Sequence, residues 1–187
     1  MYIQSKRQEI IQMVTNELAR SDSSLFRRTF VHFCLSGVKH FSRAFFKDKF
    51  MELFFELASD RVPIVKIEFA KSLMQIKPYF DYDRNNFYRI MDTLDSMRKD
   101  PDKEVADVVD SVKFHLETLK PPTPEEIKSF AGLDLENQEL EQKLAQREEE
   151  EEKKKKQDEE EEQKFDFQAL LQETNKQRLR VTHNLHS

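Results

Sequence analysis

Stretches in which large apolar residues recur every three or four positions alternate along this chain with short polar breaks. That is the period of helices laid against a core. The clearest stretch spans 63–78, where Val65, Phe69, Leu73 and Ile76 form one stripe. Pro63 fits the first turn of a helix, where its missing N–H is no loss, and Pro78 marks the expected end. Upstream, Phe46, Phe50, Leu53, Phe54 and Leu57 mark a helix that Ser42 can cap. The break between the two, 58–62, is short enough only for an antiparallel hairpin. The same reading gives a first helix over 1–20 (Ile3, Ile10, Ile11, Val14, Leu18), a polar turn over 21–24, and a second helix carrying Phe26, Phe30, Phe33 and Phe41. Gly37 inside that helix costs about 1 kcal/mol relative to Ala, which points to a tight crossing. Asp83 can cap a fifth helix with Phe87, Ile90, Met91, Leu94 and Met97. Asp100-Pro101-Asp102 turns into a sixth with Val105, Val108, Val109, Val112, Leu116 and Leu119.

The hairpins repeat. Asp100 lies 40 residues after Asp60 and Val105 lies 40 after Val65; Phe26-Arg27 aligns with Val65-Lys66 at an offset of 39, with Asp22 in the first turn. A period near 40 with two helices per unit is the signature of stacked helical repeats. The third unit departs from the pattern: Ala106 replaces the basic residue, Asp110 the small residue, and Lys113 aligns with Leu73. Such a face reads as a polar cap of the kind a stack needs at its end. Ile10, Ile11 and Val14 make the opposite end apolar. The expectation is therefore the C-terminal end of a longer array, which alone aggregates or dimerises through its first hairpin.

These residues resemble a HEAT repeat: an Asp in the turn, Val-Lys five and six positions on, and an Ala facing the partner helix. Here they are Asp60, Val65, Lys66 and Ala70. Val65-Lys66 followed by Phe69-Ala70-Lys71-Ser72-Leu73 looks most like repeats of the 65-kDa A-type phosphatase scaffold subunits. The chain as a whole is most similar to the regulatory subunit 4 family of serine/threonine protein phosphatase 4. The resemblance implies an all-α fold, an α-α superhelix of about three HEAT-like hairpins followed by a charged helical or disordered tail. It implies that Asp60 and Lys66 bond from one repeat to the next. It also implies a non-catalytic regulatory or scaffold subunit, whose partner is a serine/threonine phosphatase catalytic subunit gripped by the turns within the repeats. The matching turns are 58–63 and 99–103, and Arg61, Pro63, Lys99, Pro101 and Asp102, expected to be exposed there, are the candidate contacts.

Composition narrows the picture. With 187 residues there is room for one domain of roughly 120 residues and an extension. Only 2 Gly and no Trp are present, which favours helices joined by short loops over a β-rich fold. Residues 1–120 carry a net charge of +2 and 13 of the 16 Phe, whereas residues 121–187 carry −7. A core therefore forms in the first part, and neither part has the basic excess of a nucleic-acid binder. The single cysteine, Cys34, excludes an intrachain disulfide, fits a reducing compartment and falls beside the Phe stripe as a buried thiol. The first residues lack the apolar core of a signal peptide, and no run approaches 18 apolar residues. No membrane partner is expected, and the expected setting is the cytoplasm or nucleus.

Lys120-Pro121-Pro122-Thr123-Pro124 bounds the repeats, assigned to 1–120. A linker with a short helix follows over 121–132, with Thr123 as N-cap, Pro124 at N1, Glu126 at N3 and a stop near Gly132; it carries Ile127 and Phe130 and can fold back on the last repeat. Thr123-Pro124 also fits a proline-directed kinase site. The tail, 133–187, opens with Leu133, Asn137, Leu140 and Leu144 at coiled-coil spacing, too briefly for a coiled coil. Five Glu (148–152), four Lys (153–156) and four more Glu (159–162) then set i,i+4 pairs that support a solvated helix, a spacer that buries nothing. Phe165, Phe167, Leu170 and Leu171 form an apolar cluster that either docks in a partner groove or folds back on the repeats. No catalytic constellation, cofactor or metal is expected. Two Gly cannot build a phosphate loop, and His183 and His186 lack further ligands at metal spacing. The alternative to a phosphatase subunit is a general adaptor working through the charged tail.

Overall fold

The computed structural model describes residues 3–80, 84–120 and 122–184, with side chains described from residue 8, except those at 78, 80 and 84–86, and only in part beyond residue 159. Among them every regular element is helical. The elements are α1 (Ile3–Gln12), prolonged by a π-helical stretch Met13–Ala19; α2 (Ser24–His40); α3 (Arg43–Phe46), a π-helical stretch Lys47–Met51, α4 (Glu52–Glu56) and a 3-10 turn Leu57–Ser59; α5 (Pro63–Phe80); α6 (Arg84–Met97); α7 (Lys103–Thr118); and α8 (Pro124–Asn184).

They form three helical hairpins in series. The second helices start in register at Ser24, Pro63 and Lys103, and α5 packs between α2 and α7. The first helices line up beside them: the π-helical end of α1 against α2, α4 and its 3-10 turn against α5, and α6 against α7. The predicted stripes supply the core, except that Phe26, expected on the inner side of the second helix, is exposed. Phe30, Cys34, Phe46, Phe54, Val65, Phe69, Leu73, Ile76, Ile90, Leu94, Val105 and Val109 are all buried. Phe50 is its aromatic centre, with the Phe33, Phe41, Phe45 and Phe46 rings 5.2–6.0 Å away. Gly37 lies under this group, and a Cβ there would meet the Phe41 ring at 3.1 Å. The tight neighbour is thus the ring just past the end of α2 itself; the nearest atom of another helix, on Phe46, lies at an ordinary 3.7 Å, so the glycine does not mark a tight helix crossing. Burial pushes the Cys34 thiol well above its ordinary pKa, which keeps it protonated and inert.

Ser42 caps α3, its Oγ accepting from Phe45 N, and Asp102 caps α7. Asp83 lies outside the described residues. Two expected stops are not there. The α5 helix runs past Pro78 to Phe80, because a proline in the last turn removes one backbone bond that the remaining two residues do not need. The α8 helix runs through Gly132 to Asn184. The helix formers around that glycine outweigh its intrinsic cost, and its φ is not positive. The capping box at the start of α8 is complete. Thr123 N donates to Glu126 Oε2 at 2.8 Å, and Glu126 N to Thr123 Oγ1 at 3.2 Å.

The chain divides into two compact units, Lys6–Gln142 and Met1–Ser5 with Lys143–Ser187. The opening of α8 thus belongs with the hairpins and is not a linker. Glu141 accepts from Ser42 N (2.8 Å) and Ser42 Oγ (2.6 Å), Asp134 accepts from Arg43 N (2.7 Å), and Asn137 Nδ2 donates to the Phe41 carbonyl (3.3 Å). Phe130 meets Tyr79 edge to face at 5.1 Å. Within the second unit the charged stretch is helical and exposed from Glu149 to Glu159, with Glu149–Lys153, Glu152–Lys156 and Lys155–Glu159 ion pairs, whereas Glu148 at its start is buried, against the expectation that the stretch buries nothing.

Candidate functional site

The turns within the hairpins form the best-defined polar feature of the first unit. In the second turn Asp60 Oδ1 accepts from Val62 N at 2.8 Å, and in the third Asp100 Oδ1 accepts from Asp102 N at 3.0 Å. Each aspartate thereby closes its own turn and keeps carboxylate capacity for a neighbour. Arg27, on α2, supplies that neighbour to Asp60, with Nε to Oδ2 at 2.5 Å and Nη2 to Oδ1 at 2.9 Å. Its Nη1 donates to the carbonyls of Ser21 and Asp22 at 2.6 and 2.9 Å. Lys66, on α5, supplies it to Asp100, Nζ to Oδ2 at 2.5 Å.

Basic residues of one hairpin thus hold the turn of the next at two successive junctions, and both pairs are nearly buried, with side chains 5–11% exposed. The hydrogen bonds that Arg27 donates to Asp60 raise the pKa of its guanidinium, and the one that Lys66 donates lowers the pKa of the Asp100 carboxyl. The ladder ends at both sides. In the first turn the matching position is Ser21, whose Oγ accepts from Ser23 N at 3.2 Å. In α7 the matching donor position is Ala106.

Further pairs tie the hairpins. Arg28 donates to Glu68 at 2.5 and 2.8 Å. Arg89 clamps Glu52 at 2.6 and 2.8 Å and lies over the Phe55 ring at 4.1 Å. The offset of 39 to 40 residues reveals Arg27, which aligns with Lys66. It does not reveal Arg28, Arg89, or the α8 carboxylates that seize the 39–43 turn, because none of these occupies a repeating position.

The candidate contacts divide. Arg61, Lys99 and Pro101 are exposed; Pro63 and Asp102 are half-buried and not exposed as expected. Pro63 is occupied by the first turn of α5, and Asp102 Oδ1 by Glu104 N at 2.9 Å and Val105 N at 3.4 Å. Arg61 Nη2 donates to Asp22 Oδ1 and to its carbonyl, both at 3.0 Å, so it joins two turns while its side chain stays 66% exposed. Lys99 and Pro101 border a groove of about 910 Å³ between α4 and α6. Of the tail cluster, Phe167 is exposed, and the side chains of Phe165, Leu170 and Leu171 lie outside the described residues. So do those of His183 and His186.

Among the described residues, no group of three or more His, Cys, Asp or Glu side chains could hold a metal ion, and no helix is long and apolar enough to cross a membrane. Comparison with known proteins finds no match, whether to a family model, a curated protein or a solved structure.

Proposed function

We propose that this chain is a HEAT-like, non-catalytic regulatory or scaffold module that binds a serine/threonine phosphatase catalytic subunit of the phosphatase 4 kind. The observation that carries this reading is the ladder Arg27–Asp60 and Lys66–Asp100, one basic residue per hairpin on the turn of the next. Such a ladder fixes the spacing of successive turns, and evenly spaced turns make a ridge that a rigid globular partner can follow. Arg61, Lys99 and Pro101 are among the exposed side chains of that ridge. The chain contributes position and contact, the phosphatase contributes the chemistry, and the setting is the cytoplasm. The charged α8 stretch acts as a solvated spacer.

A capture experiment tests this. Purified phosphatase catalytic subunit is passed over immobilised full chain and over the chain ended after Gln142. Equal retention by both supports the reading. Retention by neither, or only by the full chain, refutes it, and the second result returns the adaptor that works through its tail.

A further inference from the structure

The groove between α4 and α6 has walls of unequal chemistry. Its lining includes three acids and a base from the facing helices, Glu52, Glu56, Asp92 and Arg89, with Lys66, Lys99 and Asp100 at the turn end and the ring of Tyr88, 61% exposed. Two of its cations are already spent. Arg89 is clamped by Glu52 and stacked on Phe55, and Lys66 is held by Asp100. Glu56 and Asp92, from opposite walls, are exposed and form no ion pair among the described residues.

The charge left available inside the groove is therefore negative, with Lys99 alone in opposition at the lip. An anion entering would meet two uncompensated carboxylates. A cation would meet those carboxylates and the face of Tyr88, one helical turn before Asp92, where an ammonium or guanidinium gains a cation–π contact. The volume lies within the roughly 300–1,000 Å³ of clefts that bind ligands. An open groove of mixed polar and apolar lining suits an extended chain better than a compact apolar molecule.

We infer that this groove binds an extended basic peptide segment of a partner protein, with a Lys or Arg side chain seated between Glu56 and Asp92 against Tyr88. The site goes beyond the phosphatase reading and stands on the stacked hairpins whatever the partner's identity. Arg89 and Glu52 position its wall, and Lys99 favours an acidic residue after the basic one as the segment leaves the groove past Pro101.

The test uses the full chain and a fluorescein-labelled peptide, Ser-Arg-Lys-Arg-Ser, followed by fluorescence anisotropy at low salt. The peptide should bind saturably. The double variant Glu56→Lys with Asp92→Lys should weaken binding about fivefold to tenfold, the loss expected when two accessible charge pairs turn repulsive. The same charge change in the tail, Glu150→Lys with Glu151→Lys, should weaken it less than about twofold. Tyr88→Ala should weaken it about threefold, and thermal unfolding should confirm that all variants fold. Three results each overturn the inference: no saturable binding, an equal loss in the tail variant, or equal binding of the peptide Ser-Glu-Asp-Glu-Ser.

Discussion

Arg27 and Asp60 are separated by 33 residues and joined by two guanidinium–carboxylate hydrogen bonds of 2.5 and 2.9 Å, with each side chain under one-tenth exposed. The same arginine closes the first turn through the carbonyls of Ser21 and Asp22, so one side chain fixes two turns at once. Removing its partner leaves a nearly buried cation with only carbonyls to satisfy it. Asp60→Ala should destabilise the folded chain by about 2–3 kcal/mol in thermal or urea unfolding. Asp60→Asn, which keeps the acceptor for Val62 N, should cost less. Combining Asp60→Asn with Arg27→Met should recover part of the loss, because no unpaired charge remains. A double variant less stable than either single one would contradict this pairing.

Much of this junction is legible in the sequence. Asp60 and Lys66 stand out at a helical turn, and the 39-residue offset brings Arg27 beside Lys66. The first-turn counterpart of Asp60 is not legible in the same way, because it is Ser21 and not the more conspicuous Asp22. The geometry identifies it by the shared bond to the N–H two residues on. The end of the hairpin unit is obscured for another reason. Pro121, Pro122 and Gly132 are strong local stop signals, yet the residues that fasten α8 are Asp134, Asn137 and Glu141, polar side chains whose targets lie more than ninety residues earlier. Local pattern does not report such contacts. Pro63 and Asp102 illustrate the converse: both are turn residues, and both are engaged by the helices they begin.

The two glycines should respond to Ala with opposite sign. At Gly37 the new methyl would meet the Phe41 ring at 3.1 Å, and that ring is hemmed in by Phe33, Phe45 and Phe50. Gly37→Ala should therefore lose about 1 kcal/mol despite its better helix propensity. Gly132 has no atom within 4 Å of a built Cβ, so Gly132→Ala should gain about 1 kcal/mol of helix stability. Circular dichroism of thermal unfolding reads both.

Acid should loosen the stack in a defined window. The Asp100 carboxyl is held below its ordinary value of 3.8 by the Lys66 ammonium. At Asp134 burial works to raise the carboxyl, and the N–H and guanidinium of Arg43 outweigh it, leaving the value lowered from 3.8. A carboxylate whose folded pKa is depressed contributes stability above its unfolded pKa and loses it as pH falls through the folded value. The melting temperature should thus stay flat from about pH 7 to 5 and fall below about pH 4. Lys66→Met should shrink that fall, since it removes the largest cause of the lowered Asp100 pKa and leaves only the Asp102 N–H to favour the carboxylate against burial.

The grip of α8 on the hairpins should depend on single carboxylates. Ser42 is 1% exposed, and its hydroxyl both accepts from Phe45 N at 3.1 Å and donates to Glu141. Ser42→Ala should cost about 1–2 kcal/mol through the lost cap. Glu141→Ala should leave that cap in place and speed amide hydrogen exchange over residues 124–142 relative to α5.

Amide hydrogen exchange on the full chain, alone and saturated with phosphatase catalytic subunit, tests the proposed role most directly. The account predicts slowed exchange in the complex over 58–63 and 99–103, where Arg61, Lys99 and Pro101 stand on the ridge. Protection confined to 143–187, or no protection at a saturating concentration, would contradict it.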